Sequence, residues 1–230
     1  MIKDNPMGTL YVVATPIGNL KDITLRALEV LKSCDVVFAE DTRVSAKLLA
    51  HFEIKKTVFR YDEHSHALSV TKITKLLAEK KKVALVTDAG TPGIADPGSR
   101  LITAIRSELP EVPIIPIPGP SALVTLLSVS GMNTEQFTFL GYPPHKKGRE
   151  TFFKKIKEIS VWPIVLYESP HRIVKTLRSI AEQCGEERIV VVGRELTKMY
   201  EEIFRGTASA ALQKYETDVI RGEFVIIISQ

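Results

Sequence analysis

The sequence has little cysteine: Cys34 and Cys184 are its only two, in 230 residues, and neither has a Cys or His neighbour at metal-ligand spacing. A disulfide framework or a zinc site is therefore not expected, and we interpret both as small core residues. No apolar run approaches the ~18 residues of a membrane span. The stretch Met1–Pro6 also lacks the apolar core of a signal peptide, so a cytoplasmic protein is expected.

Several nucleotide and catalytic motifs are also missing. The chain contains no GxxxxGK[ST] loop, no GxGxxG after its first predicted strand and no GxSxG elbow. Triphosphate binding, ordinary dinucleotide binding and the serine hydrolase class thereby lose support. His64 and His66 do not have a recognised zinc spacing, and we expect them to be solvated loop residues. The net charge of +4 permits an anionic partner without requiring one.

The length of the chain favours two domains, since 230 residues are many for one ordinary domain and few for three. A hydrophobic content of 44% and a charged content of 25% are ordinary for a globular protein. We place the boundary at the Pro118-Gly119-Pro120 break. This predicts an N-terminal α/β domain over 1–118 and a C-terminal α/β domain over 119–230.

The most informative stretch is Thr87–Gly98, which follows the apolar run Val83–Val86. A short apolar run closed by turn residues indicates a buried parallel strand, and α/β sheets bind ligands at the carboxyl ends of such strands. The glycines and prolines of the stretch suit a rigid cradle of backbone donors. Asp96 and Pro97 are expected as the N-cap and first position of a helix. The alternative is a βα turn that only needs glycine.

The rest of the first half alternates strands and helices. Strands are predicted at 9–14, 35–39 and 58–60, and an edge strand is predicted at 112–117 because of its prolines. One helix is predicted to begin after Asp22 as its N-cap, and another is predicted through Leu68–Leu77. The turn Thr15–Leu20 and the stretch Glu40–Arg43 follow two of these strands. Both are therefore expected at the ligand-binding edge, although Glu40–Arg43 also suits a capped helix start with a surface ion pair.

The second half repeats the alternation. Strands are predicted at 136–142, 164–167, 189–193, 202–205 and 224–228; helices are predicted at 149–159, after Ser169-Pro170, and after Thr207 as N-cap. The stretch His145–Lys157 carries six cations against one acid, together with Phe152 and Phe153. Two interpretations stay open for it: contact with a phosphate backbone, or a solvated helix with a buried aromatic edge.

Six motifs fall in order along the chain: TPIGNL at 15–20, EDTR at 40–43, DAGTPGIADPG at 88–98, PGPSA at 118–122, YESPHR at 167–172 and RELTK at 194–198. Together they resemble the tetrapyrrole methylase superfamily and, within it, the bacterial methylases of 16S ribosomal RNA. The resemblance implies a two-domain α/β fold in which each domain is a mixed, mostly parallel sheet flanked by helices. It implies S-adenosylmethionine-dependent methylation of the ribose 2′-oxygen of a cytidine, cytidine 1402, in the decoding centre. A homodimer without metal is also implied.

The resemblance also carries cofactor-binding residues over to this sequence. S-adenosylmethionine is expected between the two domains, at Pro16, Ile17, Asp88, Gly90, Thr91, Gly93, Ile94, Ser121, Ala122, Tyr167, Glu223 and Phe224. The expected bases or orienting groups are Glu168, Glu195, Asp41 and His171. The expected contacts to RNA are Arg43, Arg172, Arg194, Lys146, Lys147 and Arg149. Two other functions remain: methylation of a small corrin precursor, and a non-catalytic nucleotide-binding module.

Overall fold

A computed structural model describes residues 7–217 and 220–230. Met1–Pro6, where no signal peptide is expected, lie outside the described residues. The chain forms two compact units, one ending at Ser121 and the other beginning at Ala122. The change of unit thus falls beside the Pro118-Gly119-Pro120 break.

The first unit is built on a five-stranded sheet. Its strands are β1 (Thr9–Val13), β2 (Val36–Ala39), β3 (Thr57–Arg60), β4 (Lys82–Val86) and β5 (Ile114–Ile117), and its helices are α1 (Leu25–Ser33), α2 (Thr42–His51), α3 (His66–Ala78) and α4 (Gly98–Glu108). The strand order is β3-β2-β4-β1-β5, and all neighbours pair in parallel. The proline-containing β5 is at an edge, as predicted. Every residue of β2 is buried, as expected for a strand covered on both faces.

Two hydrophobic clusters cover the two faces of this sheet. Successive side chains of a strand point to opposite faces, so β1 contributes Leu10 to one cluster and Val13 to the other. Helices α3 and α4 pack on the Leu10 face through residues such as Ile73 and Leu101. Helices α1 and α2 pack on the Val13 face. The sheet is therefore the middle layer of three.

The second unit has a sheet of its own. Its strands are β6 (Thr138–Phe139), β7 (Ile164–Glu168), β8 (Ile189–Arg194), β9 (Glu202–Thr207) and β10 (Phe224–Ile228), and its helices are α5 (Ala122–Val129), α6 (Arg149–Ile156), α7 (Ile173–Cys184) and α8 (Ala208–Thr217). The order is β6-β7-β10-β8-β9. Helices α6, α7 and α8 share one core with the sheet, which includes Phe153, Leu177 and Tyr215. Helix α5 packs on the other face, where a Cβ at Gly193 would lie 2.8 Å from Leu126 Cδ1.

The predicted α/β fold class is confirmed, and the second sheet is mixed as expected. The expectation of mostly parallel strands holds for the first sheet but was wrong for the second. In the second sheet β6 and β7 pair in parallel, and the other three described pairings are antiparallel. The hairpin from β8 to β9 imposes one of these antiparallel pairings, since a short connection reverses the chain. The predicted strand 136–142 is shorter than expected and contains only the two residues of β6.

The predicted start of α1 was wrong by two residues, and that of α4 by one residue. Thr24, not Asp22, caps α1, and its hydroxyl accepts the Ala27 N–H at 3.1 Å. Asp22 instead ends a 3₁₀ turn. Helix α4 begins at Gly98 with Pro97 before it, so Asp96 lies one position further out than an N-cap. By contrast, the Thr207 cap of α8 is confirmed by its bond from the Ala210 N–H.

Candidate functional site

The carboxyl ends of the five parallel strands lie along one edge of the first sheet. The chain leaves β1 toward β2 by crossing β4, and it leaves β4 toward β5 in the opposite direction by crossing β1. The helices that follow, α1 and α4, accordingly lie on opposite faces. The sheet therefore has its topological switch point between β1 and β4, which is where open α/β sheets bind ligands. The predicted loops at 15–20 and 87–98 are the two loops at this point.

These two loops are joined to each other. The buried Thr15 hydroxyl donates to the Thr87 carbonyl at 3.0 Å, and Thr15 and Gly90 exchange backbone hydrogen bonds of 2.9 and 3.1 Å. Gly90 has a φ of 82°, a conformation that favours glycine, and a Cβ there would lie 3.5 Å from Ile17 Cγ2. The structure thus brings Pro16 and Ile17, which follow Thr15, next to Gly90.

The second part of the glycine loop is held by one carboxylate. Asp96 Oδ1 accepts the Gly93 N–H at 2.8 Å and the Gly98 N–H at 2.7 Å. A Cβ at Gly98 would lie 2.7 Å from the Gly93 nitrogen, so only glycine fits there. The loop after β5 also approaches this region, because the Thr91 hydroxyl donates to the Pro120 carbonyl at 3.4 Å.

Acidic side chains follow β2 and β4. Asp88 Oδ1 accepts the Asp41 N–H at 2.9 Å, which links the two strand ends. Asp41 caps α2 and forms a 2.6 Å ion pair with Arg43. Hydrogen bonds from the Arg43 side chain and amide hold the pKa of the Asp41 carboxyl well below its usual range. Asp41 is therefore a weaker base than an ordinary carboxylate.

Glu40 differs from Asp41. Its Oε2 accepts the Thr87 hydroxyl at 2.9 Å, and it lines a cavity of about 620 Å³ together with Asp62, Glu63 and Asp96. Burial raises the pKa of the Glu40 carboxyl, the Thr87 bond opposes this, and the nearby carboxylates add to the rise. Glu40 is thus a carboxylate at the sheet edge whose environment makes it a stronger base.

The expectation that His66 is a solvated loop residue was wrong. Its Nδ1 lies 3.0 Å from the Tyr61 hydroxyl, which in turn donates to the Pro97 carbonyl at 2.8 Å. His66 therefore helps to attach the end of β3 to the start of α4. Within 7–217 and 220–230, no group of three or more His, Cys, Asp or Glu side chains is arranged to hold a metal ion. The same ranges contain no helix both long and apolar enough for a transmembrane span.

In the second unit, the predicted base Glu168 is buried at the end of β7. Its Oε1 accepts the Ser169 N–H and an Arg172 Nη2–H, both at 2.8 Å, and its Oε2 accepts the Thr176 hydroxyl at 2.5 Å. Arg149 Nη1 lies 3.7 Å from the same Oε2. The carboxylate is thus enclosed between two guanidinium groups, and both of its oxygens already accept hydrogen bonds from the protein.

Arg149 and Arg172, both predicted RNA contacts, are largely occupied inside the protein. The Arg149 side chain is 5% exposed, and burial lowers the pKa of its guanidinium while Glu168 opposes that shift. Arg172 is 17% exposed and donates to Glu168, Ser169 and the Pro143 carbonyl. Such burial does not favour direct contact of Arg149 with a phosphate.

The RELTK stretch forms a loop tied to the start of β10. Glu195 Oε1 accepts Lys198 Nζ–H at 2.7 Å and the Glu223 N–H at 3.0 Å. Burial raises the pKa of the Glu195 carboxyl, but these two bonds outweigh it and the net shift is downward. Glu195 and Thr197 have left-handed φ values of 51° and 67°. The structure thus connects the predicted base Glu195 to the predicted cofactor residue Glu223.

Three other predicted residues of the second unit, Tyr167, Arg194 and Phe224, lie at or next to strand ends. The Leu123 N–H donates to the Tyr167 hydroxyl at 3.3 Å, which links Tyr167 to α5 just after Ala122. Phe224 is buried and is paired with Arg194 across β10 and β8. Arg194 donates to the Arg221 carbonyl at 2.9 Å. The side chains Arg43, Lys146, Lys147 and His171 are exposed.

Sequence reasoning missed two residues of these sites. The sequence indicates Glu40 only as part of EDTR, and its hydrogen bond from Thr87, 47 positions away, gives no local signal. Thr176 was missed because a Thr inside an amphipathic helix gives no signal before its partners Glu168 and Arg149 are located.

A profile of the family described as Tetrapyrrole (Corrin/Porphyrin) Methylases matches residues 9–212. The match runs from β1 to α8, so the fold and the loops at the switch point are those of tetrapyrrole methylases. The crystal structure of uroporphyrin-III-C-methyltransferase from Thermus thermophilus has a TM-score of 0.68 to this chain and is 19% identical to it in sequence. The superposition covers 96% of this chain and 94% of that one. At that identity the likeness concerns the fold alone.

Two curated relatives match at higher identity. Ribosomal RNA small subunit methyltransferase I of Thermotoga maritima is 43% identical over 97% of this chain and 99% of its own length. The protein of the same name from Hydrogenobaculum sp. is 44% identical over 96% of this chain and 95% of its own. This chain is a methyltransferase that belongs to the tetrapyrrole methylase family and, within it, to the group of ribosomal RNA small subunit methyltransferase I. The resemblance expected from the six motifs is confirmed.

Proposed function

We propose that this protein transfers a methyl group from S-adenosylmethionine to the ribose 2′-oxygen of a cytidine in the decoding centre of 16S ribosomal RNA, namely cytidine 1402. The relatives' names support ribosomal RNA of the small subunit as the substrate. The topological switch point between β1 and β4 is the observation that carries the proposal, because it supports a ligand site at the loops that hold the family motifs.

The residues at the switch point fit S-adenosylmethionine, which supplies an electrophilic methyl group on its sulfonium. The glycine loop is held in one tightly packed shape, since Gly90 and Gly93 have left-handed φ values and Gly98 leaves no room for a side chain. We propose that the loop residues bind the cofactor together with the β1 turn. These are Pro16, Ile17, Asp88, Gly90, Thr91, Gly93, Ile94 and Ser121. The roles of Ala122, Tyr167, Glu223 and Phe224 in cofactor binding stay predictions.

Methyl transfer forms a bond from the ribose oxygen to the methyl carbon, breaks the carbon–sulfur bond and releases the hydroxyl proton. Holding the oxygen in line with the methyl group supplies much of the rate, ~7 kcal/mol or more. A proton acceptor adds about 10²–10⁴-fold. Asp41 and Glu195 have lowered pKa values, so these two are poor acceptors. Both oxygens of the buried Glu168 are already occupied by hydrogen bonds from the protein. We infer that Glu40, whose pKa is raised, accepts the proton. His171 remains the other predicted base.

The Glu40→Gln variant tests this role. Turnover should fall by about 10²-fold or more, with S-adenosylmethionine affinity unchanged. Glu63→Gln is the matched control, because Glu63 lines the same cavity and its side chain is 73% exposed. Equal turnover of Glu40→Gln and the unmodified protein would remove Glu40 as the acceptor.

Exposed cations are the proposed RNA contacts. Arg43, Lys146 and Lys147 are solvent-exposed, and guanidinium and ammonium groups bind phosphates in a salt-dependent manner. Arg194 and Arg172 remain predicted contacts, whereas the buried Arg149 is assigned to positioning. By family resemblance we also propose a homodimer, which light scattering would detect. We also propose a cytoplasmic location, which a ribosomal RNA substrate supports.

Mapping of ribose methylation on 16S ribosomal RNA by reverse transcription tests the proposed function. Incubation with the protein and S-adenosylmethionine should produce one new reverse-transcription stop at the proposed cytidine, with either free RNA or small ribosomal subunits as the substrate. Parallel incubation with a corrin precursor tests the small-molecule alternative. Cofactor binding without transfer to any acceptor would instead support the non-catalytic module.

A further inference from the structure

The buried carboxylate of Glu168 is part of a network that leads to the protein surface. Thr176 Oγ1 donates its single hydrogen to Glu168 Oε2 and accepts from Arg149 Nη2, with both distances 2.5 Å. Arg172 donates to the other carboxylate oxygen at 2.8 Å. Because the hydroxyl proton is committed to the carboxylate, the network has one arrangement of donors and acceptors.

Each arginine of the network also donates to a proline carbonyl. Arg172 Nη1 donates to the Pro143 oxygen at 3.0 Å, and Arg149 Nη1 donates to the Pro144 oxygen at 3.2 Å. Two consecutive carbonyls of the connection between β6 and α6 are thus fixed by two charged donors. Hydrogen bonds that involve a charged group are about twice as strong as neutral ones, so the connection is firmly held from its inner side.

The same connection is cationic on its outer side. His145, Lys146 and Lys147 follow the two prolines directly and are exposed. Gly148 then takes a left-handed φ of 83° before α6 begins at Arg149. We call Pro143–Lys147 the cationic turn. Its inner carbonyls are fixed while its outer side chains face solvent.

A buried ionic network of this kind is costly to desolvate, and apolar side chains often stabilise a fold equally well. Its value therefore lies in fixing geometry. We propose that Glu168 and Thr176 are positioning residues that hold Arg149 and Arg172 and thereby set the cationic turn for contact with RNA phosphates. This inference rests on the proposed function, because it assumes that the protein binds ribosomal RNA.

The test measures binding of in vitro transcribed 16S ribosomal RNA at several salt concentrations. Glu168→Gln keeps the shape of the side chain but removes its charge, and we expect at least tenfold weaker binding. The slope of log affinity against log salt should become smaller by up to about 1.4, since each of the two lysine contacts contributes about 0.7 with single-stranded RNA. Glu150→Gln is the matched control: it makes the same charge change on α6 at an exposed ion pair, and binding should not weaken.

A second pair of variants covers the case in which Glu168→Gln fails to fold. Thr176→Ser keeps the hydroxyl and should keep RNA affinity, whereas Thr176→Val removes it and should weaken binding. Both leave the charge of the protein unchanged. Affinity for S-adenosylhomocysteine, measured by calorimetry, should be unaffected in either variant.

A double-mutant cycle separates positioning from general loss of structure. If the network acts through the lysines, Thr176→Val should have no further effect on RNA binding once Lys146→Ala and Lys147→Ala are present. If Thr176→Val weakens RNA binding in that background as much as it does in the unmodified protein, the inference is overturned. If the two lysine substitutions alone leave RNA binding unchanged, the proposed RNA contact at this turn fails. If they weaken binding and Thr176→Val does not, only the positioning inference fails.

Discussion

Replacement of Gly98 by alanine tests how tightly the glycine loop packs against its own backbone. The added Cβ would lie 2.7 Å from the Gly93 nitrogen and 2.8 Å from Asp96 Oδ1, so the loop has to open. Opening disturbs the two hydrogen bonds that Asp96 accepts, at 2.8 and 2.7 Å. A hydrogen bond to a charged group contributes about 1.5–3 kcal/mol, and overpacking costs about 1–3 kcal/mol. We expect the loop to be destabilised by roughly 3 kcal/mol.

Cofactor binding has to restore the loop, so this cost should appear in the affinity. At about 1.4 kcal/mol per tenfold, S-adenosylmethionine should bind about 100-fold more weakly. Titration calorimetry measures the change. Gly131→Ala is the control: its φ is 66°, and no described heavy atom lies within 4 Å of the new Cβ, so only backbone strain is added. A folded Gly98→Ala protein with undiminished affinity would refute the assignment of this loop to the cofactor.

Four further predictions concern single side chains. The transfer rate should rise with pH as Glu40 ionises, over a range above the usual one for glutamate, and Glu40→Gln should abolish that rise in single-turnover assays. The pKa of the Glu195 carboxyl is lowered, so its bond to Lys198 stabilises the fold above the carboxyl's ordinary pKa, and this stability is lost as the pH falls through the lowered value. The difference in melting temperature between the unmodified protein and Glu195→Gln should therefore become smaller on acidification. A difference that stays constant with pH would contradict this. Arg43→Ala should weaken RNA binding in filter assays without changing the melting temperature, because its side chain is 85% exposed. Phe153→Ala, in a fully buried position, should reduce the free energy of unfolding by about 3–5 kcal/mol in urea titrations, and a loss below about 1 kcal/mol would show that the core tolerates the cavity.

The elements were largely predictable because local signals were strong. The apolar run Val83–Val86 between a lysine triplet and a glycine-rich loop indicated β4, and the structure places that strand at Lys82–Val86. The prolines of 112–117 indicated an edge strand, and β5 is one. Strand direction in the second sheet was harder, since a pattern of apolar residues does not distinguish parallel from antiparallel neighbours.

The loops at the sheet edge were predictable, but the contacts between them were not. Family motifs and turn residues indicated the loops at 15–20 and 87–98. The hydrogen bond that joins them links Thr15 and Thr87, which are 72 positions apart and carry no local signal. Arg149 shows the same limit, because a cation in a basic stretch is normally solvated and only its distant partners Glu168 and Thr176 explain its burial.

The strand order also has a consequence for biosynthesis. β4 separates β1 from β2, so the first two strands to leave the ribosome have no contact with each other in the finished sheet. Until residue 86 has emerged, β1 has neither of its neighbours available, since β5 comes later still. The nascent chain must therefore keep an apolar segment unpaired for most of the synthesis of this half. Folding of the unit should accordingly be late and slow, and we expect the growing polypeptide to depend on chaperones that shield Thr9–Val13.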